Sequence, residues 1–468
     1  MSLRQTSHLL SAVASCPHLA TATTSQIKGF EEVPGPGLWE RSSHDVSQEY
    51  ARLLQLYEKY GPIVRVRKPF QGSVVHIFDP VDAEIVFRTE GKNPHIVPLQ
   101  ETTQKYRQLR GMNPGLGNLN GDEWYRLRSS VQQSLMRPNA IEKYLPFVEM
   151  TAGDLVEHIR KESNDKGEVD MKRIAGRWSL ESAGRTVFET RLGAMGERQN
   201  WADRLVEVNW EVFKLSARMK FDFPWFRFFS TQSWKRMVAL EDEFYGEANK
   251  LMDTALTDLK SVGNKMLVSE LIAKKNLNSL DLKVIMLSLF TDGLSTTAPM
   301  LIYNLYFLSK HPESQKEIRR EVMKAGEGEL TSTKRTKMPY LRAFIKETFR
   351  MCPIGTEISR VPQQDIVLGG FRIPAGTPVD VNTNILSKSE RLYPRASQFD
   401  PTRWLRENKA GDVHPFAFLP FGFGPRMCAG RRFAEQDLQI SHDHGPICQT
   451  YETLLLPKGD CHFKFREL

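Results

Sequence analysis

Three things are scarce in this 468-residue chain: cysteine, acid at the N-terminus, and long apolar runs near the N-terminus. The five cysteines (Cys16, Cys352, Cys428, Cys448, Cys461) are odd in number and scattered. They do not form a disulfide framework, so a reducing interior is expected. No Asp or Glu precedes Glu31, while Ser and Thr are dense and Arg4 and Lys28 are basic. The longest apolar stretch there, Leu9 to Ala14, is interrupted by Ser11 and falls far short of the ~20 residues of a membrane span. Residues 1–32 therefore have the composition of a mitochondrial transit peptide, not of a secretory signal or membrane anchor. There is no internal repeat and no low-complexity block.

What is present is ordinary for a globular protein: 40% apolar and 26% charged residues. A net charge of +8 fits an acidic partner. The positive charge is spread along the chain without nucleic-acid motifs, so nucleic acid is not expected. Val33-Pro-Gly-Pro-Gly37 marks the change from leader to a domain over residues 33–468. Helical apolar spacing runs from Gln48 to Tyr60. Ile63–Arg67 and Ser73–Phe78 read as a strand pair, and Asp79-Pro80 starts a helix. From about Asp122 helical patterns dominate, broken by polar loops near 162–168, 193–200, 261–265 and 325–337. After Arg360 the texture turns irregular, so the fold class is mainly α with small β-sheets.

Phe421-Gly-Phe-Gly-Pro-Arg-Met-Cys-Ala-Gly430 is the most informative stretch. It reads as the proximal loop of a thiolate-ligated haem. Phe421 is an apolar lid, and Gly422 lets the backbone bend. Arg426 is a fixed donor for a propionate. Cys428 stands just before a helix, where backbone N–H groups favour a thiolate and hence iron ligation. Gly430 allows the helix to pack close to the ring. Trp124 and Arg128, four apart on a helix, share one face and suit a carboxylate such as the other propionate.

Leu280 to Ser309 is a long apolar helical pattern whose middle carries Gly293 and Pro299. Proline removes a donor and crowds the Ser295 carbonyl, so a kink with free hydroxyls is expected, Thr296 being the candidate for proton delivery. Six aromatics between Phe221 and Phe229, interrupted by Asp222, Pro224 and Arg227, read as a membrane-touching mouth for a lipophilic substrate.

The order of these pieces (PGP junction, W-x-x-x-R, kinked helix, E-x-x-R, P-x-R-W, F-x-x-G-x-R-x-C-x-G) resembles the cytochrome P450 family over essentially all of 33–468. The resemblance implies haem b between the long distal helix and the cysteine loop, with Cys428 as axial thiolate and O2 as co-substrate. It implies that Glu347, Arg350 and Arg403 form a buried structural triad, and that Arg360 is a further propionate partner. The leader, together with Arg342, Lys346, Arg431 and Arg432, resembles the mitochondrial class. There a two-iron, two-sulfur ferredoxin, with its reductase, docks on such a basic surface. The implied activity is monooxygenation of a sterol, secosteroid, ecdysteroid-like molecule or xenobiotic at the matrix side of the inner membrane, with peripheral membrane contact.

Two departures stand out. The family pattern (A/G)-G-x-(D/E)-T places an acid where this chain has Ser295, and Asp292 replaces the small residue a turn earlier. A shifted Asp292–Ser295 relay is one outcome. After Cys428, the helix opened by Phe433 is expected to end early at Ile440–Pro446, and only 40 residues follow the cysteine. A haem-thiolate isomerase or dehydratase, or a catalytically impaired haem- or sterol-binding protein, are the alternatives these departures leave open.

Overall fold

The computed structural model describes residues 27–465, except 38–47, 69–71, 99, 138–139, 222, 259–266, 275, 327–330, 332–333, 335, 409–412, 439–448, 453 and 458–460. Most of the leader (1–26), Cys16, Asp222, the 261–265 loop, Cys448 and Ile440–Pro446 lie outside the described residues.

Helices dominate, as the apolar periodicity requires. In chain order they are α1 (Glu49–Tyr60), α2 (Pro80–Thr89), α3 (Glu101–Leu109), α4 (Gly121–Leu135), α5 (Leu145–Glu162), α6 (Met171–Ala183), α7 (Gln199–Phe221) and α8 (Gln232–Asp258). There follow α9 (Leu267–Ile272), α10 (Ser279–Lys310), α11 (Pro312–Ala325), α12 (Pro339–Met351) and α13 (Arg431–Asp437). The strands are small. β1 (Ile63–Lys68) and β2 (Gly72–Ile77) pair antiparallel, from Ile63 opposite Ile77. β7 (Val379–Val381) joins β2 in parallel, and β4 (Ile358–Arg360) closes that sheet antiparallel to β7. Three two-stranded ladders complete the set: β3 (Glu168–Asp170) with β10 (His462–Lys464), β5 (Ile366–Leu368) with β6 (Phe371–Ile373), and β8 (Gln449–Glu452) with β9 (Leu454–Pro457).

The folded part begins before residue 33. Lys28 pairs through its backbone with Gly370 and Arg372 at 3.0 Å, and Arg65 stacks on the Phe30 ring at 3.9 Å while bonding Glu31 at 2.7 Å. Glu31, the first acid in the chain, thus has a partner in β1.

α10 is the axle. Asn278 and Asp281 cap its start reciprocally, each side chain accepting the other's backbone N–H at 2.9 Å. Buried residues occur on nearly every face, so it is a core helix with neighbours all round. Met286, Leu287, Phe290 and Leu294 belong to a core shared with α7 and α8. Ala298, Leu301, Ile302 and Leu305 belong to another shared with α6 and α12. Helical structure runs unbroken through Gly293 and Pro299, because packing on both sides offsets the ~3 kcal/mol that proline costs in a helix interior.

Candidate active site

The cysteine loop is shaped by its own backbone. The Cys428 amide donates to the Phe421 carbonyl at 2.9 Å, and Gly422 and Gly424 stand at φ 71° and 73°, the left-handed region that favours glycine. A Cβ at Gly424 would lie 2.4 Å from Glu90 Oε1, whereas one at Gly430 would meet no protein atom within 4 Å. Phe421 packs edge-on against Phe349 of α12 (centroids 5.0 Å apart).

Cys428 is exposed, whereas Cys352 and Cys461 are buried. Its thiol is nevertheless pushed up, chiefly by desolvation and further by the Asp292 charge, with the Gly430 and Arg431 amides and Arg128 pulling the other way. Exposure combined with desolvation places Cys428 on the wall of an internal chamber and not on the outer surface. Asp292 on α10 has the same signature: it is exposed, yet burial of its surroundings raises its carboxyl to about 6. The Asp292 charge reaches Cys428, so the two belong to one chamber.

Thr296, one turn beyond Asp292, donates from its hydroxyl to the Asp292 carbonyl at 2.7 Å. Ser295 differs. It is 1% exposed and donates to Asn209 Oδ1 of α7 at 3.0 Å. No direct hydrogen bond joins it to Asp292.

One edge of the chamber is unusually positive. Arg426 lies flat over Trp124, its guanidinium carbon 4.1 Å from the ring centroid, and bonds Asn120 and the Pro94 and Leu119 carbonyls. Desolvation, with Arg360 and Arg128 nearby, pulls Arg426 down to about 9. Arg128 donates to the Met427 carbonyl, and its buried Nε has no partner. Arg360 pairs with Glu90 at 2.5 Å and donates to the Phe423 carbonyl at 3.2 Å.

Glu90 pairs with Arg360, and its field also reaches Arg426. Glu90 and the buried, unpartnered His95 Nδ1 belong to this edge and were not singled out from the sequence. Neither sits in a motif, and only folding brings them to Arg360 and Arg426. A cluster of desolvated guanidiniums at this edge suits the two propionates of haem, and Cys428, the one exposed thiol among the described residues, matches an iron ligand with its amide donors. The residues fit the cofactor.

Behind the loop, Glu347 bonds Arg350 through both oxygens at 2.7 and 2.9 Å, and Arg403 Nε at 3.0 Å. Trp404 Nε1 and the Asp400 amide also donate to Glu347, each at 2.9 Å. Arg350 donates onward to the Ser387, Ala396 and Gln398 carbonyls. Arg342 and Lys346 are exposed on the outer face of α12. Arg431 pairs with Glu435 at 2.9 Å and Arg432 donates to the Met136 carbonyl at 2.8 Å, so these two are partly committed within the fold. A separate cavity of about 290 Å³ lies beside Pro299, lined by Lys172, Trp210, Lys214 and Ile302 among others, and holds none of the candidate site residues.

The sequence matches the family profile described as Cytochrome P450 over residues 34–461. It is 51% identical to the probable cytochrome P450 CYP44 of Caenorhabditis elegans, across 99% of this chain and 100% of the relative. That alignment spans 498 positions, at least 30 more than this chain has residues. It is 30% identical to the mitochondrial cholesterol side-chain cleavage enzyme of Rattus norvegicus (92% and 86% covered) and 27% identical to the mitochondrial cytochrome P450 11B2 of Mus musculus (96% and 91%). Helix-dominated architecture, a cysteine loop facing a long central helix, and sequence similarity over nearly the whole length agree: the chain belongs to the cytochrome P450 family of haem-thiolate monooxygenases.

Proposed function

We propose that this monooxygenase hydroxylates a lipophilic substrate of sterol, secosteroid, ecdysteroid-like or xenobiotic type, using electrons from a two-iron, two-sulfur ferredoxin, at the matrix side of the mitochondrial inner membrane. The observation that carries the reading is the chamber itself, to which the Cys428 thiol, Asp292 and Thr296 belong. Haem held by a cysteine thiolate supplies oxygen activation, the sulfur donating electron density that favours O–O cleavage.

The chain's residues do the rest. Cys428 is the ligand, steadied by the Gly430 and Arg431 amides. Arg128, Arg360 and Arg426, with Trp124 beneath, hold the propionates. Glu347, Arg350 and Arg403 fix the segment behind the loop. Thr296 Oγ1, its own hydrogen spent on the Asp292 carbonyl, accepts a hydrogen bond on the distal side, and the Asp292 carboxyl one turn earlier on α10 is the proton donor. Trp225, Phe228 and Phe229, at 52%, 71% and 56% exposure, rest on the membrane and admit apolar substrate. Arg342 and Lys346, with Arg431 and Arg432, receive the acidic ferredoxin.

A second reading, a haem- or sterol-binding protein of low activity, is favoured by one observation. α13 has only seven residues, and the 51% identical relative carries at least 30 positions that this chain does not.

The test is one preparation. The chain, reduced under carbon monoxide, is expected to give the red-shifted thiolate Soret band, lost in Cys428→Ser and kept in Cys352→Ser and Cys461→Ser. Ferredoxin, its reductase and NADPH then support turnover of a sterol panel. A thiolate band without ferredoxin-supported turnover favours the second reading if no peroxide is rearranged, and an isomerase if it is.

A further inference from the structure

Arg107 is a buried cation that the mechanism above does not use. It is 7% exposed at the C-terminal end of α3, among Tyr106, Tyr245, Leu287 and Phe290 of the α7–α8–α10 core. Its immediate partners are neutral: Nε donates to the Tyr245 hydroxyl and Nη1 to the Pro114 carbonyl, both at 2.6 Å. No carboxylate among the described residues lies within the 4.0 Å of an ion pair. Nη2 donates to none of the described residues. Burying a guanidinium without a paired charge is expensive, and the backbone is shaped to hold it there. Gly115 sits at φ 89°, and a Cβ on it would stand 2.0 Å from Arg107 Nη1 and 3.4 Å from the Ser288 hydroxyl.

Ser288 is one helical turn before Asp292 on α10, so the Arg107 head lies beside the chamber wall that carries Asp292. The electrostatics agree with this placement. Asp292 favours the charge on Arg107 and disfavours ionisation of Tyr245, while its field also reaches Cys428. Glu241, the other nearby acid, accepts from Thr103 and is raised to about 7 by burial. Desolvation works against the Arg107 charge, but Tyr245, Glu241 and Asp292 outweigh it and push the guanidinium up.

We infer that Arg107 and Asp292 form a two-sided polar anchor for a hydroxyl group on the lipophilic substrate. The hydroxyl accepts from Arg107 Nη2 and donates to the Asp292 carboxylate. A hydroxyl suits both groups at once. An ether offers no proton to Asp292, and an acid would bring a second negative charge against it. Because Asp292 shares the chamber with Cys428 and adjoins Thr296, the anchored hydroxyl sits close to the carbon that is oxidised. The substrate therefore arrives already oxygenated near the reacting position, from a preceding hydroxylation or carbonyl reduction.

This inference rests on the chamber being the substrate site, and its test has a readout independent of haem. Quenching of tryptophan fluorescence in the full chain is titrated with 1-dodecanol, its methyl ether and dodecanoic acid, and with a steroid alcohol and its methyl ether. Each alcohol is expected to bind about tenfold tighter than its ether, the size of one charge-assisted hydrogen bond. Dodecanoic acid is expected to bind more weakly than dodecanol.

In Asp292→Asn the alcohol preference falls below about threefold, at the level of one weak neutral contact, while affinity for the ethers holds. In Arg107→Met alcohol and ether weaken together, because the ether oxygen also accepts from Arg107. If Arg107→Met does not fold, Arg107→Lys, which keeps charge but loses the planar fork, takes its place. An undiminished preference in Asp292→Asn, unchanged affinity for both alcohol and ether in Arg107→Met, or dodecanoic acid as the tightest ligand each overturns the anchor. Absence of the thiolate band, with the alcohol preference intact, overturns the proposed function alone.

Discussion

Both oxygens of Glu347 face Arg350, at 2.7 and 2.9 Å, and neither side chain has any solvent exposure. The same carboxylate takes Arg403, the Trp404 indole and the Asp400 amide. One buried acid therefore organises α12 and the segment leading towards the cysteine loop.

Removing that acid strands two arginines and two N–H donors. Glu347→Ala is expected to cost about 3–5 kcal/mol, the range for breaking a buried pair by deleting one partner. Denaturant unfolding of the full chain measures it. A loss below about 1 kcal/mol, typical of an exposed pair, would show that the network is not structural.

The two glycines flanking the cysteine separate protein strain from cofactor fit. Gly424→Ala meets Glu90 Oε1 at 2.4 Å and a positive φ, so a destabilisation of about 1–3 kcal/mol is expected. Gly430 has φ −84° and no protein neighbour within 4 Å of a Cβ. Gly430→Ala should leave unfolding of the haem-free chain within about 0.5 kcal/mol and act on haem retention alone. Unfolding curves with and without haem check both.

Asp82 gives a pH signature away from the chamber. It accepts the Gly369 amide at 2.8 Å, and burial raises its carboxyl from 3.8 to about 6. The folded state then binds more protons than the unfolded one between those values. Its contribution is largest below about pH 4 and is lost as pH rises through 6. A shift of this size corresponds to about 3 kcal/mol. Asp82→Asn should therefore gain stability relative to wild type between pH 4 and pH 7, read from urea midpoints. A constant difference across that window would refute the assignment.

Arg342 and Lys346 project from α12 into solvent. The double charge reversal Arg342→Glu, Lys346→Glu is expected to slow ferredoxin-supported reduction about tenfold or more at low salt, the lower end of electrostatic steering. The gap should close towards 0.5 M salt, where screening is strong. Stopped-flow reduction at several ionic strengths decides it, and a salt-independent defect would point to misfolding instead.

How much of this was readable in the sequence follows from how local each feature is. The helix Ser279–Lys310 and the pair β1–β2 come from periodicity and caps, so the expected bounds differ from the observed ones by one or two residues. Cys428, Arg426 and the E-x-x-R pair sit in short patterns whose spacing carries the chemistry. Trp404 was legible only as a neighbour of Arg403, since nothing local says that its indole reaches Glu347.

Pro299 predicted a kink from local cost alone, and helical structure runs continuously through it with packing on both sides. Ser295 and Asp292 looked like a relay because i and i+3 adjoin, but Asn209, 86 positions away, claimed the serine. Glu90, His95 and Arg107 carry no motif, and their meaning exists only once α2, α3 and the loops between them close over the chamber.

The desolvated guanidiniums of Arg128 and Arg426 have a consequence for the life of the protein in the cell. Burial disfavours their charge, and a bound anion offsets that cost. A ligand that binds the folded chain and not the unfolded one raises stability with its concentration. Haem supply then sets how much of this polypeptide survives quality control, so its abundance is governed by cofactor biosynthesis as well as by transcription.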